Sequence, residues 1–386
     1  APTDAVFPVL VCNPSDEWLD HVAVDLEFTE DIMPWYYVRA ADGRPAPGWG
    51  VAPVFGQGLG AIWLAALVPP RSARVYFVCI RKDPEKEDPP DVPTPMRVWT
   101  GETRRRERAG LTSSTQMMVS NARFRLILDR ARGGTVTSLV SKRTGREYAA
   151  ESFGAACGTF GQYDPRQPAT TTVRFVRDAL ARQADQRARV EIVKSGGVIA
   201  TLEVTGRAGP RTTRQAYTFV PWHAGFQIQA YGFKPQEGKP AEDLVTVDAR
   251  FRAEHFTKTY PNFVGIVSDK EQPHFGWRRG AWVPECLTFM HPPDFTESIS
   301  LLRVHAEGVA RVRHGFWPER RPGAGKCTYA RAEYVAAAGR TGVTLEVLLH
   351  RGHHHHAKRL GRVGAEREPV VIIPGDFKWG KRFKPI

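Results

Sequence analysis

Two carboxylates set among aromatic rings are the residues of this sequence best suited to acid–base chemistry. Asp164 sits in Gly161-Gln162-Tyr163-Asp164-Pro165, and Glu285 follows Trp277 and Trp282. Two such groups on either side of a glycosidic bond can protonate the leaving oxygen and attack, or activate water, from the opposite face. Asp164, Glu285 and Asp294 all lie near aromatic clusters, and Asp164 and Glu285 are the candidate catalytic residues. The competing reading makes Asp164-Pro165 a turn and gives Glu285 an arginine partner. Flat aromatic faces flanked by hydrogen-bonding groups hold sugar rings. The densest such stretch is Gln272–Trp282, which supplies His274, Trp277, Arg278 and Trp282 as candidate substrate-binding residues. Tyr163 joins them, as do Trp222 and His223 in the hairpin turn Pro221–Gly225. The 272–282 stretch reads as a loop, which favours a site; the alternative is a loop pinned to the core by its tryptophans.

No residue is assigned to a metal. His353-His354-His355-His356 is a run on one loop, and true sites draw ligands from separate elements with supporting partners. Five cysteines stand at positions 12, 79, 157, 286 and 327, with no spacing that suggests zinc. An odd number scattered over 386 residues is not a disulfide framework. Cys12 and Cys79 fall on the first and last strands of the N-terminal region. They would be bridged if those strands bring them together, and otherwise behave as small apolar residues.

The elements that must position these groups read as strands. Hydrophobic residues make up 42% and charged residues 25%, which excludes wholesale disorder. Thirty prolines and 35 glycines interrupt the chain too often for long helices. Val6–Cys12, His21–Phe28, Trp35–Arg39, Gly60–Leu67 and Ala73–Cys79 alternate or run apolar between turn residues, as in a small sandwich. Residues 84–110 open with Pro84-Glu85-Lys86-Glu87-Asp88-Pro89-Pro90, a stiff charged linker. Residues 111–350 carry further strand patterns at 122–128, 134–140, 188–194, 198–205, 214–220, 225–231, 244–251, 297–304 and 342–349. Val176–Ala188 alone has a helical pattern. Residues 351–386 form a basic tail with one edge strand, bracketed by Pro369 and Pro374. The absence of βαβ alternation and of a phosphate-cradling glycine loop before a helix argues against a Rossmann or P-loop protein.

No stretch approaches the ~20 apolar residues of a membrane span. The N-terminus lacks the charged and apolar regions of a signal peptide and fits the start of a processed chain or an excised fragment. The net charge is +13, from 54 Lys+Arg against 41 Asp+Glu. It is either a solvated basic surface or a match for an anionic partner such as an acidic glycan. No RNA-binding motif, basic zipper or finger accompanies it, which disfavours nucleic acid.

The segment Val119-Ser120-Asn121-Ala122-Arg123-Phe124-Arg125-Leu126-Ile127-Leu128-Asp129 precedes Gly133-Gly134, a strand ending in Ser138-Leu139, and Lys142-Arg143-Thr144-Gly145-Arg146-Glu147. This order resembles the opening of the large C-terminal β domain of family 38 glycoside hydrolases, the retaining α-mannosidases. Val9-Leu10-Val11-Cys12-Asn13-Pro14, Asp42-Gly43 and the bend at Pro69-Pro70 resemble the small β domain of the same family. The resemblance implies an all-β chain: a small immunoglobulin-like sandwich followed by a large β-supersandwich of the galactose mutarotase kind. It also implies that the catalytic barrel, with its zinc ligands and aspartate nucleophile, lies outside this chain. Zinc is then expected only in that missing domain, and no cofactor in this one. The expected function is the accessory β portion of an α-mannosidase-like hydrolase, supporting the barrel and lining the sugar cleft. Carbohydrate and a catalytic barrel would be its partners, and its place secreted or otherwise extracytoplasmic. Two other readings stay open: a stand-alone lyase or mutarotase-like isomerase on acidic glycans, and a non-catalytic glycan-binding module.

Overall fold

A computed structural model describes residues 5–14, 16, 18–19, 22–28, 36–46, 48–51, 60–64, 68–81, 94–102, 109–150, 154–159, 180–195, 199–208, 211–231, 243–261, 268–269, 275–279, 286–291, 296–303, 309–318, 327–336, 342–351 and 370–372. Alternation of apolar and polar residues produces strands throughout. In β1 (Ala5–Asn13), Phe7, Val9 and Val11 are fully buried while the residues between them are half-buried, the period-two signature of one face turned to a core.

Among the described residues five sheets form, and the pairing within them is antiparallel. The first has the order β27 (Val370–Ile372), β1, β7 (Ser72–Ile80), β3 (Tyr36–Ala40), β4 (Pro45–Ala46). A three-stranded sheet, β2 (Val22–Phe28), β6 (Gly60–Leu64), β5 (Gly48–Val51), completes the small N-terminal unit. The large unit begins with four strands, β11 (Thr135–Ser141), β10 (Phe124–Asp129), β9 (Gln116–Ser120), β8 (Arg97–Thr100). Next is a six-stranded sheet, β13 (Leu180–Arg182), β12 (Gly154–Thr159), β18 (Asp243–Arg252), β25 (Cys327–Ala336), β24 (Val309–Pro318), β21 (Phe275–Arg279). The largest has nine: β14 (Arg189–Ser195), β15 (Ala200–Ala208), β16 (Arg211–Phe219), β17 (Gly225–Tyr231), β26 (Gly342–His350), β23 (Ser298–Arg303), β22 (Cys286–Met290), β19 (Lys258–Pro261), β20 (Ser268–Asp269).

One apolar core joins the four-, six- and nine-stranded sheets into a supersandwich. Phe124 of β10 meets Phe226 of β17 at 5.6 Å between ring centroids, and Phe219 stacks on Phe226 at 5.7 Å. Phe251 of β18 meets Phe289 of β22 at 5.4 Å, tying the six-stranded sheet to the nine-stranded one. Each such ring, fully buried, contributes about 2–3 kcal/mol.

The structure departs from the sequence reading in four places. Arg97–Thr100, inside the 84–110 stretch read as linker, pairs with β9, and Met96 beside it lies in the core. The charged residues around this stretch mask its short apolar pattern. Phe275–Arg279, read as loop, is the edge strand of the six-stranded sheet, its flanking glycines and proline having disguised it. Within the helical pattern at 176–188, Leu180–Arg182 is a strand and Gln183–Asp185 a 3-10 turn. Finally, Cys12 and Cys79 lie on adjacent strands but at opposite ends, Cys12 facing Ala73 and Cys79 facing Ala5. At about 3.4 Å per residue they are on the order of 20 Å apart, and neither forms a disulfide.

The Gly133-Gly134 turn is sterically required. Gly133 has φ +69°, and a Cβ there would collide with the Gln183 carbonyl oxygen, whereas Gly145, at φ +71°, has open space around it. Gly145→Ala should therefore cost about 1 kcal/mol, the left-handed backbone penalty alone. Gly133→Ala should cost about 3 kcal/mol or more, because the collision adds to that penalty. Urea midpoints of the two variants against the parent check the difference.

Candidate functional site

Asn121 precedes β10, and every polar atom of its side chain is engaged although the residue is fully buried. Its Nδ2 donates to the carbonyls of Val220 (2.8 Å) and His223 (2.9 Å), and its Oδ1 accepts from the N–H groups of Arg123 and Phe124, both at 2.9 Å. Ala122 N donates to Pro221 O at 2.8 Å, Arg123 Nε donates to Trp222 O at 3.2 Å, and Lys142 Nζ donates to Asn121 O. These bonds clamp the β16–β17 hairpin, which carries Trp222 and His223, onto the four-stranded sheet.

Trp222 is half-buried, but His223 is 2% exposed. The His223 Nε2 contacts Oε1 of Glu346 on β26, which is wholly buried. Gly225 lies alongside, where a Cβ would press on His223 Nε2 and on the Val347 carbonyl. An imidazole against a carboxylate has the components for proton transfer; at this burial the pair also anchors the hairpin to β26.

Glu346 belongs to a cross-strand row on the face of the nine-stranded sheet that points away from the core. Thr201, Thr218, Gln227 and Glu346 are successive register partners across β15, β16, β17 and β26, and all are buried. A second chain runs beside it. Thr288 Oγ1 and Ser300 Oγ are 2.6 Å apart, and Ser300 Oγ lies 2.8 Å from His350 Nε2. His350 Nδ1 is 2.9 Å from the Arg351 carbonyl, which can only accept. Nδ1 therefore carries a proton, and in the neutral ring Nε2 accepts from Ser300.

Two buried carboxylates organise the flanks. Glu297, just before β23, accepts at Oε1 from Ser141 Oγ (2.8 Å) and from Arg143 Nη2 (2.9 Å), and at Oε2 from Thr144 Oγ1 (2.7 Å) and Tyr148 Oη (2.6 Å). Burial pushes its pKa up, but the Tyr148, Thr144 and Ser141 hydroxyls and the Arg143 charge outweigh that and hold it below the ordinary glutamate range. On β18, Asp248 accepts from Arg250 on its own strand and from Arg331 on β25, at 2.8–3.0 Å. Burial again raises the pKa, and the two guanidinium groups pull it down to about 2.

Of the residues singled out from sequence, Trp222 and His223 share this clamped hairpin. Trp277 and Arg278 lie on β21, opposite Arg313 and Val312. Tyr163, Asp164, His274, Trp282, Glu285 and the 353–356 histidines lie outside the described residues. Sequence reasoning missed Glu346, Glu297 and the Asp248–Arg250–Arg331 triad, and met Asn121 only as the head of a family motif. The available signal for Glu346 was a lone carboxylate inside the apolar run Leu345-Glu346-Val347-Leu348-Leu349. Among the described residues no three His, Cys, Asp or Glu side chains converge as a metal would need. None of the described residues forms a helix long and apolar enough to cross a membrane.

The architecture has counterparts among solved structures. A protein in glycosyl hydrolase family 38 from Enterococcus faecalis matches 98% of this chain and 48% of its own, with a TM-score of 0.54 and 11% identity. The fold is that of the matched half of this family 38 protein. An alpha-mannosidase from Enterococcus faecalis V583 matches 97% of this chain and 46% of its own, with a TM-score of 0.53 and 11% identity. The chain thus spans about half the length of these two family 38 structures. A galactose mutarotase-like protein from Clostridium acetobutylicum matches 61% of this chain and 94% of its own, at a TM-score of 0.39 and 8% identity. No protein-family profile and no curated protein matches the sequence.

The Glu297 cluster carries a pH signature. A carboxylate whose folded pKa is depressed contributes stability above its unfolded pKa of about 4.3 and loses it as pH falls through the folded value. Glu297→Gln should cost about 2 kcal/mol at pH 7, as expected for charge-assisted hydrogen bonds. The gap to the parent protein should narrow below about pH 4, where the parent's own carboxylate becomes protonated. Urea titrations between pH 7 and pH 3 measure both quantities.

Proposed function

We propose that this chain is the accessory β portion of a carbohydrate-active hydrolase of the family 38 kind, which supports a catalytic barrel and lines part of its sugar cleft. The observation that carries this reading is the fold match: 97–98% of the chain aligns with proteins about twice its length. The β half is then one part of a machine whose nucleophile and zinc ligands lie elsewhere. On this reading the aromatic and basic residues of the β half are the groups that face sugar. Trp222 is held on a hairpin whose backbone is fixed by Asn121, and Trp277 and Arg278 sit on a sheet edge. Rings stack on neutral sugars, and arginines add charge-assisted hydrogen bonds where the sugar is acidic.

The test uses the 386-residue chain itself. It should turn over no aryl α-mannoside, with or without added zinc, yet bind oligosaccharide in a calorimetric titration. Trp277→Ala should weaken that binding and leave the melting temperature nearly unchanged. Zinc-dependent turnover abolished by a chelator would refute the accessory role. A variant that melts far below the parent, with no oligosaccharide bound by either protein, would refute the sugar-lining role. In that case Trp277 would be a core residue, whose removal costs about 3–5 kcal/mol.

A further inference from the structure

The outermost strand of the N-terminal sheet arrives from the far end of the chain. Val370, Val371 and Ile372 pair antiparallel with Cys12, Val11 and Leu10. Pro369 and Pro374 bracket the segment. Proline has no N–H to donate, so the ladder cannot extend much beyond these three pairs. An edge pairing this short is weak by itself. Because it is covalently joined to the strand it covers, it competes for that edge as an intramolecular partner.

The strand it covers is not weak. β1 is held on its other side by β7 along Ala5–Asn13, and Phe7, Val9 and Val11 fill the core of the unit. With β27 removed, β1 would keep its shape and present a row of unpaired N–H and C=O groups, a template for an added strand.

We propose that the outer edge of β1 is a strand-addition site for a short extended β-branched segment, filled in cis by the chain's own Val370–Ile372, which detaches and re-docks by local opening. The segment that fits is three to four residues of Val or Ile, antiparallel to β1. This inference is independent of the carbohydrate reading, and neither stands or falls with the other.

The probe is a fluorescent synthetic peptide of residues 367–376, offered to the full chain and to the full chain carrying Val371→Pro. Val371 is the central pair of the ladder. The variant should bind the peptide roughly tenfold or more tighter than the parent, because its internal competitor is gone. A peptide carrying the same proline should not bind. Equal binding by both chains, or binding by neither, overturns the proposal. Native-state hydrogen exchange on the unmodified chain gives a second test that needs no variant. The amides of 370–372 and the β1 amides facing them should exchange together through an opening that leaves Val75–Val78 of β7 protected. If they exchange only with global unfolding, the strand does not detach and the proposal fails.

Discussion

The clamp at Asn121 is the constraint on which the rest of the large unit depends. One primary amide satisfies two carbonyls of the β16–β17 hairpin and two N–H groups at the entry to β10 with no exposure to water. The alternatives available to this buried backbone are poor. A carbonyl stripped of its partner there would bear a desolvation cost of about 1–3 kcal/mol. The asparagine therefore sets how the four-stranded and nine-stranded sheets meet at this corner. The aromatic contact of Phe124 with Phe219 and Phe226 packs directly behind it.

From that corner the polar groups follow in sequence. The hairpin places His223, His223 meets Glu346, and Glu346 lies in the row of buried polar side chains across β15 to β26. The nine-stranded sheet thus has two unlike faces. One supplies the apolar core, and the other buries polar side chains, among which His223 meets Glu346 and Thr288, Ser300 and His350 form a chain, beside an apolar patch of Cys286, Leu302 and Leu348. Glu297 and Asp248 repeat the same principle at the flanks, each tolerated because several donors compensate its desolvation. These networks give the sheets a defined register, and the hairpin bearing Trp222 inherits that rigidity.

Much of the fold could be read locally, because the period-two pattern is local. β10, β11, β14 to β18, β23 and β26 fall within a few residues of the positions their alternation implies. Phe275–Arg279 escaped because its neighbours are turn formers, and Arg97–Thr100 because charge surrounds it. The site was far less legible. His223 and Glu346 are 123 residues apart, and Asn121 and His223 are 102 apart. No local pattern announces which histidine on a turn will meet which carboxylate on a strand. The ordered motif from Asn121 to Glu147 was the exception: its asparagine, its Gly133-Gly134 turn and its Lys142–Glu147 hairpin all have structural work that explains their positions.

The central claim is that one buried amide couples the hairpin to the sheet beneath it. Urea unfolding of Asn121→Ala measures this most directly. The account predicts a loss of about 3 kcal/mol at an unchanged m-value, since two buried carbonyls and two N–H groups lose their partners while the fold is otherwise intact. A loss under about 0.5 kcal/mol, the range of an unremarkable surface substitution, would contradict it.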